Sequence, residues 1–209
     1  QALLLAADGA PLANRVALAA LVPQNRLWPD LPPPGDARAR PAAERRAQAA
    51  RLLADAGFGP GRPLRLALLV PAAADWRQLA ETLATSLSPV GIDIAIVRAG
   101  TASARHDIAL VEQAAPVPDV LAHLALWRCG KARPCSAAAD RQLAAARAAG
   151  SDAGRRLAMA AAAEELLMAD PAFVPLLRPV RWALVANRLG GFQANPLGRH
   201  PLGRIAPEG

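Results

Sequence analysis

The residues of this chain best suited to chemistry by type and spacing lie in DIALVEQAAPVPD, residues 107–119. A short, continuous apolar run there leads into Glu112 and Gln113, and then into Pro116 and Pro118, which forbid an immediate helix. The run reads as a buried strand over residues 108–111, ending in a charge and an amide. Ligands of open parallel sheets sit outside the carboxyl ends of the strands. A carboxylate and an amide at such an end are therefore candidates for holding a small solute.

Other reactive residue types form no working set. Cys129 and Cys135 are the only cysteines. They are too far apart for a C-x-x-C redox motif, and no second pair completes a zinc site. In a turn-rich segment they fit a local disulfide of an oxidising compartment, worth about 2 kcal/mol on the loop-closure model; two buried free thiols in a cytosolic protein is the alternative. His106, His123 and His200 stand far apart, with no acidic or histidine partner at metal-ligand spacing on a helix face, and read as surface or core histidines. Glu164 and Glu165 are adjacent on an expected helix, so they diverge by about 100° and should not face one substrate. The glycine-dense stretch at Gly57, Gly59 and Gly61 follows a helix and precedes a strand, the reverse of a phosphate loop. Neither a nucleophile-elbow nor a zinc-protease motif is present. No catalytic chemistry, cofactor or metal is indicated.

The elements that must position Glu112 and Gln113 follow from periodicity. Residues 64–70 and 92–97 are strands, joined by a helix over residues 74–89 whose Trp76, Leu79, Leu83 and Leu87 share one stripe. A βαβ unit of this kind is right-handed and makes its strands parallel. With the strand beginning at His106 as the third, Asp75, Trp76, Glu112 and Gln113 are expected along one rim. Trp76 has two roles open to it, ligand contact or pinning its helix to the sheet.

Around this unit, residues 2–22 read as two short helices broken at Gly9 and Pro11, with Leu5, Leu12, Val16 and Ala19 apolar at helical spacing. Residues 23–41 hold six prolines and read as an extended surface connection, with Trp28 stapling it to the core. Residues 42–57 form a helix with Ala43, Ala47, Ala50 and Leu53 on one face and Gly57 closing it. Further helices are expected at residues 120–127, 136–149 and 152–168, and strands at 173–177 and 181–185. From residue 187 the chain is rich in Gly, Pro, Asn and Arg and reads as a tail that packs on something else.

At 209 residues and 53% hydrophobic content, one sizeable domain is expected. The net charge of +7 comes almost wholly from arginine, since Lys131 is the only lysine; the arginines are spread along the chain with 3% aromatics, so no nucleic-acid surface is indicated. No secretory signal or membrane-length apolar run is visible. The start without Met, inside a helical pattern, suggests that a longer precursor has been trimmed.

Five blocks, in order, resemble the C-terminal part of the family 5 extracellular solute-binding proteins, the periplasmic receptors of peptide, opine and nickel ABC importers. ALLLAADGAPLANRVA (residues 2–17) resembles the family's A-I-D-R helix, with Gly9 after Asp8 in place of Arg. AERRAQAARLLADAGF (43–58) is similar to its A-x-x-L-L-x-x-A-G-Y helix and is the sharpest match. LRLALLVP (64–71) with WRQLAETLATSLSPVGIDIAIV (76–97) resembles the strand, helix and strand that follow, and HDIALVEQAAPVPD (106–119) the Y-D strand and W-x-A-D-x-x-D-P turn. FVPLLRPVRWALVANRLGGFQANPLG (173–198) is similar to the terminal V-x-G-F/Y-x-x-N-P region.

The resemblance implies an α/β fold, a periplasmic-binding-protein-like (type II) lobe with a βαβ mixed sheet flanked by helices. It implies lobe two over residues 1–180 and a segment, 181–209, returning towards a first lobe built by a preceding part of the chain. It further implies capture of a peptide or similar small solute in an inter-lobe cleft, delivery to the membrane permease of an ABC importer, a periplasmic location and no enzymatic role. Gln113 stands where the family turn often has Trp, and Pro116 where peptide binders place the Asp that meets the ligand's ammonium, so Glu112 is the candidate replacement, with an ion pair to a rim arginine as its other reading. Asp119 aligns with the family's D-P aspartate and reads as a helix cap. A competing class is the ligand-sensing domain of a cytoplasmic transcription regulator on the same fold, which the charge suits and a disulfide would not.

Overall fold

The computed structural model of the chain describes residues 1–13, 21–32, 37–98, 105–114, 117–130, 135–169, 173–180, 184–193, 195 and 202–207. Val16, Ala19, Lys131, Pro116, His200 and most of the expected strand at 181–185 lie outside them.

The central element is a parallel sheet of β2 (Leu64–Val70), β3 (Ile92–Arg98) and β4 (Ile108–Ala109), in the order β3-β2-β4. Helix α4 (Ala74–Leu87) crosses from β2 to β3, as the apolar spacing requires. Leu83 and Leu87 are buried and Trp76 and Leu79 pack against the same cluster, so the expected stripe is the buried face. The third strand is shorter than expected, and Val111 is 66% exposed beyond its end. Two separate antiparallel ladders pair β1 (Leu21–Pro23) with β5 (Leu177–Pro179) and β6 (Leu189–Gly190) with β7 (Ala206–Pro207), and Gly59 and Arg62 form an isolated antiparallel bridge. Residues 173–176, expected in a strand, are not extended into one; the ladder starts at Leu177.

Two short helices, α1 (Ala2–Ala6) and α2 (Gly9–Ala13), open the chain. The break falls at Ala7 and Asp8, not at Gly9 and Pro11, because the Asp8 carboxylate accepts the Ala10 amide and starts the second helix. Helix α3 (Ala42–Asp55) ends at Gly57 with φ +82°, the left-handed conformation glycine adopts freely. Its buried face carries Ala49 and Leu53; Ala43, Ala47 and Ala50 are exposed, which corrects the expected face. Alanine is so frequent in this helix that it gives little contrast from which to read a phase. The connector that follows α3 is held close to the sheet: a Cβ on Gly91 (φ +91°) would fall 2.7 Å from the Gly59 Cα.

The three helices after the sheet are α5 (Val120–Leu124), α6 (Ala137–Ala148) and α7 (Ala153–Ala169). Asp119, Ser136 and Asp152 cap them, accepting the amides of Ala122, Ala139 and Arg155. Asp119 is thus the cap that its position suggested.

The buried side chains form two clusters. The first gathers α1 to α4 and the sheet, with Leu12, Leu68, Leu87 and Ile92 fully enclosed. The second gathers α5 to α7, with Leu124 and Leu143 at its centre and Leu27, Trp28 and Leu31 laid on it. Residues 24–32 and the 3-10 turn Ala37–Ala39 are therefore not a surface connection. Arg26 is 4% exposed, Leu31 5% and Arg38 3%, so this segment is a packed strap.

Candidate functional site

The sheet is parallel throughout, so Val70, Arg98 and Ala109 end their strands on one side. The chain beyond β2 supplies Asp75 and Trp76 in the first turn of α4, and the chain beyond β4 supplies Glu112 and Gln113. These two strands are neighbours, so all four candidate residues lie past the carboxyl ends of adjacent strands. Asp107 fixes the register. Its carboxylate accepts the Ala67 amide at 2.8 Å while its own amide donates to the Ala67 carbonyl at 2.9 Å, pinning the start of β4 to the middle of β2.

Within this rim the side chains differ. Asp75 is exposed at the N-terminus of α4, where a carboxylate is favoured by the helix dipole. Trp76 is half-buried against the first core, which is the pinning contact. Glu112 is exposed; Gln113 is half-buried and its side-chain amide donates to the Ala114 carbonyl at 3.2 Å. Val111 and Val117, both exposed, flank them. The rim thus offers carboxylates and an amide beside apolar surface, a combination able to hold a hydrogen-bonding solute with an apolar part.

A second polar assembly escaped the sequence reading. Arg26 donates from Nε to Glu164 Oε2 at 2.9 Å and from Nη1 to Glu165 Oε1 at 3.0 Å, so one guanidinium joins the two adjacent carboxylates. Arg38 Nη2 donates to Glu165 Oε2 at 2.6 Å, and the Leu27 amide donates to Glu164 Oε1 at 2.6 Å. Glu164 has no exposed surface; burial raises its pKa, with the Leu27 amide and the guanidiniums of Arg26 and Arg38 pulling it back. The two glutamates do diverge, as adjacent helical residues must, but a planar fork lying along the helix reaches both. One sequence signal could have found this: Glu164 falls four residues after Ala160 and three before Leu167, on the buried face of α7.

His123 and Trp28 sit beside this cluster. Trp28 is the staple expected of it, with its ring 5.6 Å from that of His123 at a 51° tilt. His123 is a core histidine, 7% exposed, whose pKa is lowered by burial and partly restored by a hydrogen bond to the Leu27 backbone. Cys129 and Cys135 form the disulfide, with Cα atoms 5.0 Å apart, between the turn after α5 and the cap of α6.

A cavity of about 250 Å³ lies elsewhere, lined by Leu4, Asp8, Gln24, Asn25, Arg38 and Arg45 among others, and by none of the four rim candidates. Its charges are already answered, Arg38 by Glu165, and Asp8 by Arg45 at 3.9 Å and Arg46 at 4.0 Å. Among the described residues no group of His, Cys, Asp and Glu is placed to hold a metal, and no helix is long and apolar enough to cross a membrane.

No protein-family model matches the sequence, and no curated protein matches it. Solved structures do match the fold. The Escherichia coli murein tripeptide binding protein MppA is 22% identical with a TM-score of 0.83, over 99% of this chain and 44% of that one. Burkholderia pseudomallei OppA is 25% identical with a TM-score of 0.75, over 91% and 41%. NikA from Brucella suis, in complex with Fe(III)-EDTA, is 20% identical with a TM-score of 0.73, over 99% and 47%. The chain spans under half the length of each of these structures, and it has the fold of part of a family 5 solute-binding protein, the family its sequence blocks resemble.

Proposed function

We propose that this chain is the ligand-capturing lobe of a periplasmic solute-binding protein, taking up a peptide or similar small solute for the permease of an ABC importer. The observation that carries the reading is the rim itself. Three parallel strands end together, and the segments leaving two of them bring Asp75, Trp76, Glu112 and Gln113 beyond a shared edge. The disulfide between Cys129 and Cys135 supports an oxidising compartment over the cytoplasm of a transcription regulator. On this reading residues 1–180 are lobe two and residues 181–209 return towards the first lobe.

Glu112 is assigned the ligand's ammonium, the partner a peptide ligand requires once Pro116 occupies the family's aspartate position. Closure over the solute needs a ligand that touches both lobes, because only differential affinity shifts an open-closed balance. Binding by this lobe alone is therefore weak. The test is mass spectrometry of what co-purifies with the two-lobed protein, followed by calorimetry of that solute against Glu112→Gln. A loss of affinity of tenfold or more, about 1.4 kcal/mol, is expected. Unchanged affinity removes Glu112 from the site, and a co-purifying nucleotide or DNA fragment overturns the receptor reading.

A further inference from the structure

The strap of residues 24–32 and 37–39 is tied down by titratable groups. Leu27 is the pivot: its amide donates to buried Glu164, and its backbone also takes a hydrogen bond from His123. Trp28, the next residue, lies against the His123 ring, and the residue before, Arg26, spans Glu164 and Glu165. Three consecutive strap residues thus meet three ionisable side chains on α5 and α7. We propose that this strap is a proton-linked latch, docked on α5 and α7 while His123 is neutral and released when His123 is protonated.

The geometry around the imidazole sets the direction. His123 Nδ1 is buried with no hydrogen-bond partner in the structure. A neutral imidazole tolerates this, since one ring nitrogen carries no proton. An imidazolium would carry a second N–H with no acceptor and a charge with little water, both costly in a buried site. The Trp28 ring attracts a cation weakly and offsets only part of that cost. The ion pairs of the strap, α5 and α7 are Arg26 with Glu164 and Glu165, Arg38 with Glu165, and Arg156 with Asp119 at 3.4 Å. Each of these carboxylates already meets an arginine, so none is left over as a counter-ion for His123.

The linkage runs in opposite senses at the two buried groups. His123 has its pKa lowered from 6.5 in the docked state, so docking is fully stable above that value and is lost as pH falls through it towards the lowered value. Glu164 has its pKa raised from 4.5, so its protonation favours the docked state as pH falls through the raised value. The latch therefore opens through His123 at mildly acidic pH, and Glu164 opposes further opening at lower pH.

Hydrogen exchange read by mass spectrometry on the intact protein tests the proposal, comparing the strap peptide with an α4 peptide after correction for the intrinsic pH dependence of exchange. Between about pH 7.5 and about pH 5.5, strap exchange is expected to rise about tenfold or more relative to α4, and His123→Gln is expected to abolish that rise. An equal rise in the His123→Gln protein, or no rise in the parent, overturns the latch. Because that variant could fold poorly, the His123 ring is also followed by NMR in the parent protein. Protonation at an ordinary histidine pKa with strap amides still protected overturns the proposal, and a titration that tracks strap opening supports it.

Discussion

The two halves of this molecule are held by different physics. The sheet half, α1 to α4 with β2 to β4, closes on aliphatic side chains: Leu12, Leu68, Leu87 and Ile92 are fully enclosed. The helical half, α5 to α7, has an aliphatic centre too, but its cover is a strap fastened by Arg26, Arg38, Glu164 and Glu165. Apolar burial is forgiving of small errors in position, whereas a buried ion cluster is stable only while every member is paired. The lesson is that the helical half depends on a contact between residues 138 apart in sequence, and its integrity can be lost by a single side-chain deletion.

The largest effect is therefore expected at Glu164. Replacing it with Ala takes one of its two carboxylate partners from the buried Arg26 guanidinium, which already has Nη2 buried without a partner, and removes the acceptor of the Leu27 amide. Breaking a buried pair from one side costs about 3–5 kcal/mol, read as a lower midpoint in urea denaturation. Replacing both Arg26 and Glu164 with Met should recover most of the loss, because the charges that remain, Arg38 and Glu165, still pair with each other. A Glu164→Ala protein as stable as its parent would erase the contrast between the halves. The sheet half is probed by Leu68→Ala, expected to cost about 3 kcal/mol through lost transfer energy and a residual cavity, with no second substitution able to restore it by charge balance.

The same contrast explains what could be read from the sequence. The βαβ unit was legible because Trp76, Leu79, Leu83 and Leu87 recur at helical spacing between two apolar runs, and each local signal agrees with the tertiary outcome. Gly57, Asp119 and the disulfide were legible for the same reason, as each acts within a few residues of itself. The strap was not. Its prolines announce an extended chain, and Arg26 and Arg38 look like any of the other arginines until α7 is folded against them. Tertiary pairing overrode local composition, and only the position of Glu164 on the apolar face of α7 hinted at it. Of the candidate site, the shared rim could be derived from strand direction; which rim side chains meet a ligand depends on chemistry that strand direction does not encode.

A third probe sharpens the comparison by weakening the helical half without touching its ions. Cys129→Ser with Cys135→Ser opens a loop six residues long in sequence separation. The loop-closure model assigns it about 2 kcal/mol, less than the ion cluster and less than the Leu68 cavity. Dithiothreitol should reproduce the loss in the parent protein and leave the double variant unchanged.

The smallest effect tests a residue that joins the two descriptions. Asp119 caps α5 through the Ala122 amide at 2.8 Å and also meets Arg156 of α7 at 3.4 Å, with its side chain 41% exposed. A cap is worth about 1 kcal/mol, and a half-exposed ion pair contributes a few tenths at most. Asp119→Ala should therefore cost about 1 kcal/mol, and Asp119→Asn, which keeps an oxygen for the Ala122 amide, almost nothing. Asparagine equal to alanine would mean that the ion pair, not the cap, holds the start of α5. Loss of solute affinity in the alanine protein without loss of stability would move Asp119 from the scaffold to the rim, since a residue that only shapes its helix cannot change binding without first changing the fold.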